Sequence, residues 1–155
     1  MAYEKHQLQY WLNELGSAFG AQFTLNDKGR CTLQVDNNTS LALLTDENNK
    51  AYSITCHLMD LQELNREQVF SQALSLNLNQ IETSGAAIAL DQKHNALMLC
   101  YTADVDRTEY QDFKNTLDNF VDKAEQLIQT LNVSPNTTGT NTSAAPDALF
   151  GMLRI

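Results

Sequence analysis

Cysteine, histidine and basic residues are all scarce in this sequence, and each shortage removes a class of function. Cys31, Cys56 and Cys100 are odd in number and widely spaced, so they form neither a disulfide framework nor a zinc-binding pair. They sit among alternating apolar residues and read as small buried hydrophobes. His6, His57 and His94 are isolated, and Cys56 and His57, adjacent on a strand, point to opposite faces. Ten Lys and Arg against 19 Asp and Glu give a formal charge of -9, and the basic residues are scattered, so no phosphate-reading surface and no nucleic-acid partner is expected. A glycine-rich phosphate loop, a metal cluster and a nucleophile with its base are all missing at usable spacing, so neither an enzyme nor a cofactor is expected. A Cys–His pair assembled across a sheet is the one catalytic arrangement left open. No window approaches the roughly 18 apolar residues of a membrane span, and residues 1–30 show no apolar core behind a basic start. No membrane insertion and a cytoplasmic location are the expectations.

A chain of 155 residues that is 43% hydrophobic is long enough for one domain with its own core, plus a tail. From Glu4 to Gly20, Leu8, Trp11, Leu12, Leu15 and Phe19 share one stripe, the pattern of an amphipathic helix that Gly16 weakens and Gly20 ends. Tyr3 and Tyr10 lie opposite that stripe, as surface residues or part of a contact. Phe23 and Leu25, then Cys31, Leu33 and Val35, alternate around Asn26-Asp27-Lys28-Gly29 and predict a hairpin. Leu41 to Leu44 and Tyr52 to Leu58 follow, so four strands in an antiparallel meander are expected. A second hairpin is predicted from Ala86–Leu90 and Leu97–Tyr101. Asp106 or Thr108 is placed to cap a last helix, one-sided along Tyr110, Phe113, Leu117, Phe120, Val121, Ala124, Leu127, Ile128 and Leu131.

Between these halves lies an unusual helix. Asn65, with Gln68 three residues on, resembles a capping box. After it Val69, Phe70, Ala73, Leu74, Leu76, Leu78 and Ile81 spread over roughly 200°, about twice the stripe of a one-sided helix. Such a helix needs two packing partners. A sheet and another helix of the same chain would satisfy it, and so would a sheet and a second molecule. The order is α-β-β-β-β-α-β-β-α, an α+β domain with three helices laid on an antiparallel twisted sheet.

At this level a family resemblance emerges. Leu74 to Asn79, Gly85-Ala-Ala-Ile-Ala-Leu-Asp91, Ala96-Leu-Met-Leu-Cys-Tyr101 and the long acidic helix, together with the opening helix and the Gly29 to Val35 strand, resemble the class I chaperones of type III secretion systems, the Tir-chaperone group. The resemblance spans roughly residues 4–132. It implies a small acidic cytosolic homodimer without ATPase activity that holds the N-terminal segment of a secreted effector extended and secretion-competent. It also implies the secretion-system ATPase as a candidate partner, and it puts Val69, Phe70, Ala73, Leu74, Leu76 and Leu78 at the dimer interface. A binding or regulatory module of the same fold without a secretion role is the alternative, because fold does not fix function.

For the effector, the strand Leu41–Leu44 is apolar on both faces. If Leu41 and Leu43 face the helices, Ala42 and Leu44 are left for a partner, while Leu33 and Val35 could serve either side. Recognition would combine strand addition with side-chain pockets. Beyond the domain, assigned to residues 1–132, residues 133–146 have the composition of a disordered linker. Residues 147–155 then carry an apolar motif with Leu149, Phe150, Leu153 and Ile155, which has two readings: it docks in the protein's own client groove or that of its dimer mate, or it packs non-specifically or stays disordered.

Overall fold

The computed structural model describes residues 6–81 and 83–132. Along the chain these form α1 (Gln7–Phe19), β1 (Arg30–Gln34), β2 (Ser40–Thr45), β3 (Ala51–Asp60), a single 3-10 turn (Glu63–Asn65), α2 (Arg66–Leu78), β4 (Ala87–Asp91), β5 (Ala96–Asp104) and α3 (Tyr110–Asn132). The strands make one antiparallel sheet in the order β1-β2-β3-β5-β4, so β1 and β4 are its two edges.

Strand alternation gives the sheet two unlike faces. Inward lie Cys31 and Leu33 of β1, Leu41 and Leu43 of β2, Tyr52, Ile54 and Cys56 of β3, and Leu97 and Leu99 of β5, in one core with the buried residues of all three helices. Trp11, Tyr52 and Phe113 tie α1, the sheet and α3 together, with Trp11 stacked on Phe113 at 5.2 Å and Tyr52 edge-on to both. Each such pair adds about 0.5–1.5 kcal/mol beyond the area it buries. Among the described residues no helix lies on the opposite face. Its central row, Thr32, Ala42, Thr55, Cys100 and Ala87, runs across all five strands in register and contains nothing larger than Thr or Cys.

Three sequence expectations change. The meander before α2 has three strands, because Phe23 and Leu25, though buried, do not join the ladder. The Gln9 side chain takes their place as partner, donating to the Phe23 carbonyl at 2.9 Å and accepting from the Leu25 N–H at 2.8 Å. The turn at Asn26 does form, with Gly29 N–H on the Asn26 carbonyl and Asn26 N–H on the Arg30 carbonyl. Asn65 makes no side-chain cap, since it closes the 3-10 turn that leads into α2. Neither Asp106 nor Thr108 caps α3: the Thr108 hydroxyl donates back to the Asp104 carbonyl, and Asp112 takes the Glu109 N–H.

Gly16 has a positive role. A Cβ there would sit 2.4 Å from the Ala21 carbonyl oxygen, and that tight return after Gly20, at φ 66°, swings the chain under β1.

Candidate functional site

No catalytic constellation assembles among the described residues. Burial pushes the Cys31 and Cys100 thiols up and the Cys56 thiol up to about 12, with the Glu125 and Asp36 charges adding to the effect on Cys56. Thiols so raised are protonated and unreactive at neutral pH. Cys56 is buried while His57 is exposed on the other face, bonded to Asp60 at 2.9 Å. His94 pairs with Asp91 at 2.7 Å inside the β4–β5 turn. Among the described residues no group of His, Cys, Asp and Glu could hold a metal ion, and no helix is long and apolar enough to cross a membrane. A hollow of about 90 Å³ between Tyr101, Phe120 and the Thr83–Ala86 turn is well below the roughly 300 Å³ of a small-molecule site.

What the fold does offer is surface for other chains. The first surface is on the β4 side. Five large hydrophobic side chains are exposed among the described residues, and four of them cluster here: Leu74 (69%), Leu78 (89%), Ile81 (86%) and Leu90 (44%). The arc of α2 accounts for this, since Val69 and Ala73 enter the core, Phe70 and Leu76 pack against it half-buried, and Leu74 and Leu78 point away. Among the described residues α2 meets β4 and α3 on one side and nothing on the side of Leu74 and Leu78. Ile81, on the helical arc by sequence, lies beyond the helix end at Leu78. Leu90 is the member that alternation alone misses, because it has the inward parity of Ile88 but ends the strand. Asn77 locks α2 to this edge, giving its amide nitrogen to the Ile88 carbonyl at 3.0 Å and taking the Ile88 N–H at 2.8 Å. It thereby fills the outward backbone positions of Ile88 as a neighbouring strand would.

The second surface is on the β1 side and the helix-free face. Ala42, itself only 6% exposed, and half-buried Leu44 stand on that face, opposite Thr32 and Arg30 of β1. Leu33 and Val35 do not join them: both are in the core, at 0% and 3% exposure. Leu33 pairs with inward-facing Leu41, which fixes its parity. The β1 edge itself is open. Val35 N–H and the Gly29 carbonyl bond across to the β2 side, so the alternate residues Thr32 and Gln34 turn their backbone groups outward. Among the described residues no other strand meets them. The segment at Phe23–Leu25 does not cover this edge, since the Thr24 backbone lies against the inward-pointing Cys31 thiol and so passes beneath the sheet. Tyr10 is exposed at 51%. Tyr3 and the motif at Leu149, Phe150, Leu153 and Ile155 lie outside the described residues.

An α+β protein with one apolar flank, one open sheet edge and no assembled chemistry is a protein-binding module. The chain belongs to the Tir chaperone protein (CesT) family, whose model matches residues 11–128. It is therefore a type III secretion chaperone and acts by binding, not catalysis. In fold it is similar to a chain of the ExsC–ExsE complex, at 19% identity over 81% of this chain and 93% of that one, with a TM-score of 0.70. It is also similar to a chain of the ExoU–SpcU complex of the Pseudomonas aeruginosa type III secretion system, at 16% identity over 81% and 98%, with a TM-score of 0.62. YbjN of E. coli, a proposed transcription regulator, shares the fold at 14% identity over 81% and 88%, with a TM-score of 0.54. No curated protein matches the sequence significantly.

Proposed function

We propose that this chain works as a cytoplasmic homodimer that binds the N-terminal segment of a secreted effector and keeps it extended until secretion. The observation that carries the reading is the pairing of the family match with an unfilled sheet edge at Thr32 and Gln34. An extended client can add there as a strand, its main chain supplying affinity and alternate side chains reaching toward Ala42 and Leu44. The ExsC–ExsE and ExoU–SpcU complexes support the idea that this fold receives another protein. Dimerisation is assigned to the flank of Leu74, Leu78, Ile81 and Leu90, with Val69, Phe70, Ala73 and Leu76 holding α2 in place behind it. The secretion-system ATPase is a further proposed partner, for delivery of the loaded complex.

Affinity capture from the native cell tests this reading. One major secreted protein should co-purify, and its secretion should fall when the chaperone gene is deleted. Normal secretion of every effector in the deletion strain would rule the role out. The likeness to YbjN favours one alternative, a regulatory module of the same fold, which would capture no secreted protein in the same experiment.

A further inference from the structure

The β1 edge is open because the stretch expected to pair with it does not. Phe23–Leu25 is drawn to Gln9 beneath the sheet, and Thr32 and Gln34 are left with outward backbone groups. An unpaired edge of this kind templates any extended segment within reach. We propose that residues 148–155 of the same chain, Ala-Leu-Phe-Gly-Met-Leu-Arg-Ile, add to this edge as an internal stand-in for the client.

α3 ends within reach of both surfaces, since the Thr130 carbonyl accepts from the Gln72 side chain of α2. Glu125 of α3 faces Asp36, just past the end of β1. From Glu125 to Asn132 the helix advances about 10 Å, at roughly 1.5 Å per residue. About 15 residues then separate Asn132 from the motif, and a flexible chain of that length spans about 20 Å on average. Its composition of Ser, Thr, Asn, Gly, Ala and Pro is that of a flexible linker. The motif suits a strand on a half-covered sheet: Leu149, Leu153 and Ile155 share one parity, while Phe150 and Met152 share the other. Small Thr32 on β1 leaves Ala42 and Leu44 as the apolar ground on the helix-free side. At the apolar flank of Leu74 and Leu78, Asn77 already fills the outward positions of Ile88 and leaves only Leu90 of β4 facing outward, against both Thr32 and Gln34 on β1.

Tethering gives the segment an effective concentration of about 1 mM. An intrinsic dissociation constant of about 0.1 mM is therefore enough to leave the edge covered roughly ten times as often as open. The docking stands independently of the chaperone reading, and only its consequence, displacement by an effector, rests on it.

Residue-resolved amide hydrogen exchange on the full chain without any client separates the two questions. The Thr32 and Gln34 amides should exchange about tenfold faster in a Met152→Pro, Leu153→Pro variant, which removes donors of both parities from the segment. A second variant, Leu149→Ser, Leu153→Ser, Ile155→Ser, should release the same two amides while leaving core amides of β3 unchanged. Equal exchange in the wild-type chain and both variants would overturn the proposal. So would protection that moves with the variants at Leu74–Leu78, meaning the segment sits on α2, or protection that depends on protein concentration alone, meaning a second copy covers the edge.

Discussion

Gln9 lies on a helix face that is otherwise Leu and Trp, and it holds the one stretch of backbone that leaves the sheet. In the sequence it looks like an ordinary polar residue of α1, and nothing in apolar periodicity marks a glutamine that substitutes for a strand. Alternation at Phe23 and Leu25 correctly signals burial, yet it cannot tell a ladder from a side-chain partner. Replacing Gln9 with Leu leaves the Phe23 carbonyl and Leu25 N–H unpaired, at about 1–3 kcal/mol for each. The urea midpoint should fall accordingly, and an unchanged midpoint would mean that water takes over both bonds. Glu125 gives a second test. Its Oε1 is enclosed without a hydrogen-bond donor among the described residues. Burial first, then the Asp36 and Asp122 charges, raise its carboxyl above the ordinary range. The folded state thus holds this proton more tightly than the unfolded chain, so the group favours folding at low pH and loses that contribution as pH rises through its raised value. Glu125→Gln should raise the Tm at pH 7 and raise it less at pH 4. A benefit equal at both values would place its cause outside ionisation.

Among the elements, α2 is where the sequence was most informative. Its wide apolar arc asked for two partners: among the described residues β4 and α3 meet the side of Val69 and Ala73, and Leu74 and Leu78 stay exposed. What periodicity could not tell was the extent of the exposed flank, because Ile81 lies beyond the end of α2 and Leu90 belongs to β4. A charge on that flank has direct consequences. Leu74 is 69% exposed, so Leu74→Glu should leave the monomer folded while burying a carboxylate in the proposed interface, a penalty of several kcal/mol unless it is paired. Sedimentation equilibrium should then show monomer at concentrations where the wild type is a dimer. A variant that stays dimeric would move the interface elsewhere. The hairpin of β4 and β5 and the one-sided α3 were legible because each obeys a single period. The first hairpin was half legible because its two arms have different partners.

For the molecule as a whole, the core and the order of elements, apart from the strand expected at Phe23 and Leu25, could be read in advance, since one face per element is enough to specify them. The roles of Leu33 and Val35 could not, because a strand apolar on one parity does not say which face the helices take. The fold decides by placing Leu33 opposite Leu41 and all three helices on that side. The two ends of the sheet then differ in a way that bears on solubility at high expression. Among the described residues the β1 edge is open along Thr32 and Gln34, whereas Asn77 closes the β4 edge at Ile88. In the polymer chemist's sense β1 is the more reactive end, and two copies that pair through it use up both of their β1 ends, so that mode of edge-to-edge growth stops at the pair.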